Sequence, residues 1–116
     1  MSNKKKSVIK IGIELDTDKI PKYLDWEASD DPVHKGKQEC KGVLLAIFDK
    51  KRKETLKIDL WTKEMEIGEM NNFFFQTLRG MADTLLRATQ NKEMAESMQQ
   101  FAYYFGEKTN VIPKNQ

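Results

Sequence analysis

The sequence has little of several features, and each scarcity excludes a class of protein. The single cysteine, Cys40, has no partner within the chain, which excludes an intrachain disulfide and favours a reducing compartment. No hydrophobic run approaches the roughly 18 residues that span a bilayer, and no apolar segment follows the charged first residues as in a signal peptide. The net charge of +2 and the 39% hydrophobic content exclude a disordered chain. We therefore expect a small soluble protein in the cytoplasm.

The residue types that carry catalytic or metal chemistry are also scarce. A zinc site needs about four ligands, whereas the chain offers one histidine, His34, and Cys40. A nucleophilic pair of these two would need a third group to orient the imidazole, and the sequence indicates none. The six glycines are scattered, so no phosphate-binding loop is indicated. The sequence therefore predicts no enzyme, no metal site and no cofactor.

A compact basic cluster, Lys50-Lys51-Arg52-Lys53, raises the question of nucleic-acid binding. Most of the affinity of such proteins comes from neutralised phosphates, and a net charge of +2 supplies little of it. The cluster instead suits the turn of a hairpin, where lysines discourage edge-to-edge aggregation. We do not expect nucleic acid as a partner.

The hydrophobic pattern predicts strands in the first half of the chain. Apolar and polar residues alternate over residues 8–15, which is typical of a strand with one solvent-exposed face. The patterns of residues 43–48 and 55–61 predict two strands that form a hairpin. Pro21 indicates that residues 20–26 form an edge strand or an irregular segment. Residues 29–42 are polar and predict a long surface loop.

The period changes near residue 64, after which apolar residues recur every three or four positions. This pattern predicts a first helix over residues 64–88 and a second helix with Asn91 as N-cap and Gly106 as its end. The predicted fold class is α+β, a small antiparallel sheet of three or four strands followed by two helices packed on one face. The predicted domain organisation is a disordered basic N-terminus at residues 1–7, one α+β domain over residues 8–106 and a loose tail at residues 107–116.

Three consecutive phenylalanines are the most informative feature of the first predicted helix. Successive helical residues point about 100° apart, so Phe73, Phe74 and Phe75 sweep roughly 200° and do not all fit one buried stripe. We predict that Phe74 is the core member and that Phe73 and Phe75 face outward. The predicted partner interface comprises Phe73, Phe75, Trp61, Phe48 and Tyr104. The alternative is that the N-terminal segment and Trp26 cover these rings within the same chain.

Several short segments resemble the GldC family of gliding-motility-associated proteins. The most specific is Lys57-Ile58-Asp59-Leu60-Trp61-Thr62-Lys63-Glu64-Met65, and the others are Gly80-Met81-Ala82-Asp83-Thr84-Leu85, Ala88-Thr89, Glu14-Leu15-Asp16 and Trp26-Glu27-Ala28. The resemblance covers most of residues 8–105 but not the polar loop. It implies a cytoplasmic accessory protein of bacterial gliding, and it implies no enzyme and no catalytic or cofactor residues.

Two functions of different classes remain open at this point. The first is a non-enzymatic protein-interaction module, self-associating, that supports gliding motility. The second is a SecB-like, chaperone-type binder of unfolded or exported polypeptides, suggested only by the order of strands before helices.

Overall fold

The computed structural model describes residues 5–114, in which antiparallel strands precede two helices. The elements are β1 Ile9–Leu15, β2 Pro21–Ala28, β3 Gln38–Cys40, β4 Gly42–Phe48, β5 Thr55–Trp61, α1 Ile67–Thr89 and α2 Lys92–Lys108. The predicted α+β class is confirmed, with the described strands forming two sheets of three and two strands rather than one sheet. The chain divides into two compact units, a strand unit (residues 1–65) and a helical unit (residues 66–116).

The first sheet has the order β1-β2-β3, so β2 is its central strand. The prediction that residues 20–26 form an edge or irregular segment is therefore wrong. Pro21 is the first residue of β2 and lies opposite Leu15, where the β1–β2 register shifts. Proline has no backbone N–H to donate. Because the regular hydrogen bonding between β1 and β2 is already interrupted at this end, the proline is compatible with a central strand.

The loop predicted over residues 29–42 contains the short strand β3, which pairs with β2. The first part of this loop is a turn in which the Asp31 carboxylate accepts hydrogen bonds from the backbone N–H groups of Val33 and His34, both at 2.9 Å. Three residues are too few to show an alternation, and for that reason the pattern did not indicate β3.

The β4–β5 hairpin is confirmed, and its seven pairs run from Gly42↔Trp61 to Phe48↔Thr55. The turn is organised by Asp49, whose carboxylate accepts from the backbone N–H groups of Lys51 and Arg52. Lys53 adopts a positive φ of 57° and donates its N–H to the Asp49 carbonyl. The basic cluster therefore lies in the turn, as predicted.

Both helices begin with hydrogen-bonded caps. In α1 the side chains of Glu66 and Glu69 form a capping box, so the helix begins at Ile67, three residues later than predicted. The predicted N-cap of α2 is confirmed, since Asn91 Oδ1 accepts from the Met94 N–H at 3.1 Å.

The prediction that Gly106 ends the second helix is wrong. The helix continues to Lys108, and the residue with positive φ is Asn110, at 61°. Gly106 is buried against Phe75, whose ring carbons lie 2.8 Å from the position that a Cβ would occupy. The carbonyl of Gly106 also accepts from the N–H groups of Val111 and Ile112. The glycine therefore allows close packing inside the helix instead of terminating it.

The described core is small. Its buried hydrophobic side chains are Leu24 in the strand unit and Phe75, Ala82, Ala95 and Ala102 in the helical unit. The predicted domain bounds, residues 8–106, and the packing of the helices on one sheet face stay predictions. Of the predicted disordered N-terminus and loose tail, residues 1–4 and 115–116 lie outside the described residues.

Candidate functional site

The helical unit carries a connected group of aromatic rings that is open to solvent. The Phe74 and Phe105 rings stack with centroids 6.3 Å apart, and the Phe101 ring lies 6.5 Å from that of Phe105 and 6.2 Å from that of Tyr104. Tyr104 is 58% exposed, Phe101 53% and Phe74 41%. We call these four residues, Phe74, Phe101, Tyr104 and Phe105, the aromatic face. At one side of it the Lys108 ammonium lies 5.8 Å from the centre of the Tyr104 ring.

A second aromatic group forms the packed part of the same unit. The Phe75 ring meets Tyr103 edge-on at 6.3 Å, and the Arg79 guanidinium lies 5.7 Å from the first ring and 5.6 Å from the second. Phe75 is only 5% exposed. The space left by Gly106 on α2 admits this ring, so Phe75 and not Phe74 is the core member of the triplet.

Phe73 and Phe75 are the two rings of the triplet that were predicted to face outward, and neither is fully exposed. Phe75 does not face outward, because the α1–α2 packing buries it against Gly106. Phe73 is half-buried, and its carbonyl accepts from the Thr77 hydroxyl at 2.7 Å.

The other predicted interface residues, Phe48, Trp61 and Tyr104, are exposed. Phe48 and Trp61 lie on one face of the hairpin at opposite ends, since Phe48 pairs with Thr55 and Trp61 pairs with Gly42. Tyr104 belongs to the aromatic face of the helical unit. Its neighbour Phe101 was not among the predicted interface residues. The spacing of Phe101, Tyr104 and Phe105 along one side of α2 is the signal that indicates the aromatic face.

The opposite face of the hairpin is entirely apolar. Its residues, which we call the hairpin face, are Val43, Leu45, Ile47, Leu56, Ile58 and Leu60. Leu56, Ile47 and Ile58 are about half exposed. On the described residues, therefore, exposed hydrophobic surface occurs on the strands as well as on the helices.

The two residues considered for nucleophilic chemistry have separate partners. His34 Nδ1 lies 3.0 Å from a carboxylate oxygen of Asp31, and its ring packs near Trp26. Burial, together with the charges of Asp25 and Glu39, raises the pKa of the Cys40 thiol. Neither Cys40 nor His34 lines the depression of about 520 Å³ beside Val8 and Lys35. A raised pKa keeps the thiol protonated, which is the opposite of what a nucleophilic cysteine requires.

Two ion pairs in the strand unit lower the pKa of an aspartate. Lys63 lies 2.8 Å from Asp16, and its hydrogen bond, followed by that from the Ile20 N–H, lowers the pKa of Asp16. On β5, Lys57 lies 2.8 Å from Asp59 and lowers its pKa in the same way.

Among residues 5–114 no group of three or more His, Cys, Asp or Glu side chains is placed to hold a metal ion. Neither described helix is long and apolar enough to cross a bilayer.

Comparison with known proteins gives one match, at the level of a family. The chain matches no curated protein and no solved structure. The model of a family described as gliding motility-associated protein GldC-like matches residues 21–111, which extend from the start of β2 to three residues past the end of α2 and make up most of the chain. The resemblance seen in the sequence is thereby confirmed, and the chain belongs to the GldC-like family of gliding motility-associated proteins.

Proposed function

We propose that this chain is a non-enzymatic, cytoplasmic accessory protein of gliding motility that works by binding other protein chains. Membership of the family supports the motility role. The aromatic face is the single observation that supports the mode of action. We also infer that the chain forms a homo-oligomer, because exposed apolar side chains occur on its strands as well as on its helices.

The aromatic face has the composition of a protein interface. Aromatic residues are enriched in interface cores, where rigid rings bury a large area at a low cost in conformational entropy. Tyr104 adds a hydroxyl group to the face, and Lys108 adds a charge beside the Tyr104 ring. Rings that are about half exposed in the free chain therefore gain burial when a partner covers them.

The absence of enzymatic activity is a proposal that rests on the chemistry of the described residues. The pKa of Cys40 is raised, and His34 is engaged by Asp31. Asp31 orients the His34 ring, but the Cys40 thiol stays protonated, and nucleophilic catalysis requires the thiolate.

Two adjacent tyrosines provide a matched test of the aromatic face. Tyr103 and Tyr104 are similarly exposed, at 46% and 58%, but Tyr103 contacts Phe75 and Arg79 whereas Tyr104 belongs to the aromatic face. A photo-crosslinking amino acid at position 104 or 101 is expected to capture a protein in gliding cells. The same group at position 103 is expected to capture much less.

Gliding of the cells is the functional readout. Tyr104→Ala with Phe101→Ala is expected to abolish gliding while the cellular level of the protein stays normal, and Tyr103→Ala is expected to leave gliding intact. Equal crosslinking at positions 103 and 104, or normal gliding of the double variant, would overturn the role of the aromatic face. Suppression of aggregation of a denatured client by the purified protein would instead favour the chaperone alternative.

A further inference from the structure

The strand β5 is an exposed sheet edge. It pairs with β4 on one side, and in the described residues its second edge joins no other strand. Six of its seven residues are exposed, whereas β4 is half-buried over Gly42–Leu45. An unpaired strand presents a row of N–H and C=O groups that can pair with another strand.

This edge carries the charged residues Lys57 and Asp59, but it lacks three other features that often protect an edge strand, namely proline, glycine and a bulge. The residues of β5 include no proline and no glycine, and its seven pairs with β4 follow one another without a bulge. By contrast, β1, the outer strand of the first sheet, contains Gly12 and has a register shift at Glu14/Leu15. The edge of β5 is therefore suited to β-strand addition.

The charges on β5 are complementary to those of a second copy in one antiparallel register. Lys57 and Asp59 lie on the same face, one on each side of Ile58 in sequence. When two β5 strands pair about a twofold axis at Ile58, Lys57 of each copy lies opposite Asp59 of the other. Opposite charges in this position stabilise a strand pair, and like charges destabilise it.

Neighbouring registers are less favourable. Centring the pair on Lys57 or on Asp59 places like charges opposite each other. Side chains alternate between the two faces of a strand. A shift by a single residue therefore joins the hairpin face of one copy to the face of the other copy that carries Lys57 and Asp59. Only the register centred on Ile58 satisfies both conditions, since it also places Leu56 opposite Leu60.

We propose that two copies of this chain associate through antiparallel pairing of their β5 strands about Ile58. Pairing converts two two-stranded hairpins into one four-stranded sheet with a continuous apolar face of twelve side chains, six from each copy. A two-stranded sheet is marginal by itself, whereas additional strands with a hydrophobic face are stable. The inference deepens the proposed homo-oligomer and rests on it.

Charge reversal on β5 tests the register. Each single variant, Lys57→Asp or Asp59→Lys, places like charges opposite each other twice in the dimer and is expected to raise its dissociation constant about tenfold at low salt. The double variant K57D/D59K restores opposite pairs and is expected to recover the wild-type value. Lys51→Asp, in the exposed turn, makes the same change in net charge as Lys57→Asp but away from β5, and it is the control for that variant. Sedimentation equilibrium measures the constants.

Disulfide trapping gives a second readout. In a Cys40→Ser background, Ile58→Cys places two thiols at the twofold axis, where facing Cα atoms are about 4.5–5.5 Å apart and within disulfide range. Thr55→Cys is the control on the same strand, because the two copies of this residue would be about 20 Å apart. We expect rapid formation of a covalent dimer with I58C and not with T55C.

The outcomes separate the two proposals. A dimer that crosslinks no faster at position 58 than at position 55, or that K57D/D59K does not restore, overturns the β5 interface and leaves the homo-oligomer standing. A chain that stays monomeric overturns both. Binding of other proteins by the aromatic face is tested separately by crosslinking at position 104.

Discussion

Two helical glycines in opposite environments allow a quantitative test of the packing in the helical unit. An added Cβ at Gly80 in α1 would meet no atom within 4 Å. An added Cβ at Gly106 in α2 would lie 2.8 Å from two ring carbons of Phe75 and 3.0 Å from Ile112 Cγ1. Replacement by alanine therefore changes helix propensity at both sites but creates overlap at only one.

The magnitudes follow from these two contributions. Alanine in a helix interior is more favourable than glycine by about 1 kcal/mol, so Gly80→Ala is expected to stabilise the protein by about that amount. At Gly106 the same gain is opposed by overpacking, which costs about 1–3 kcal/mol. Since the propensity contribution is common to both variants, G106A should be less stable than G80A by about 1–3 kcal/mol.

Urea unfolding followed by circular dichroism measures the difference between the two variants. Replacing Phe75 by leucine provides the control, because a smaller side chain gives the new methyl group room and should reduce the difference between G106A and G80A. Equal stabilisation by the two alanines in the wild-type background would show that Phe75 does not occupy the space beside Gly106.

Further predictions concern the core, a cap and the response to acid. Phe75→Ala is expected to destabilise the protein by about 3–5 kcal/mol and Phe74→Ala by clearly less, as measured by urea unfolding; the reverse order would contradict the burial of Phe75. Asn91→Ala should cost about 1 kcal/mol in the same assay, whereas Asn91→Asp should cost little because it retains the capping oxygen; equal losses would exclude the cap. The pKa of Asp16 is lowered by Lys63, so its stabilising effect is complete above the unfolded value of about 3.9 and is lost as the pH falls through the folded pKa. Thermal unfolding should therefore separate wild type from Asp16→Asn at pH 7 and bring the two together in stronger acid; a constant gap would contradict the assignment.

The strands that the sequence predicted are those whose pattern is strongest. Alternation over β1 and β5 and the apolar run of β4 identify each strand within one or two residues. The central place of β2 was missed because Pro21 argues against a central strand, and only the partner strand reveals that the proline sits at its irregular end. The three-residue strand β3 depends on its pairing with β2 rather than on any local preference.

At the candidate site, too, the sequence pattern predicted local features but not contacts between distant residues. Periodicity correctly indicated that three adjacent phenylalanines do not share one buried stripe. Which ring is buried depends on Gly106, about thirty residues away on α2, and a single-sequence pattern contains no information about that contact. For the same reason the exposure of Phe48, Trp61 and Tyr104 was predicted more easily than the contact between the rings of Tyr104 and Phe101.

The mass of the purified protein in solution is the decisive measurement for self-association, that is, for the claim that exposed apolar surface of this chain is covered by a second copy. Sedimentation equilibrium over a range from about 1 to 100 µM is expected to give a mass that rises with concentration from the 13.5 kDa of one chain towards twice that value. A mass that stays at 13.5 kDa over the whole range would contradict the claim.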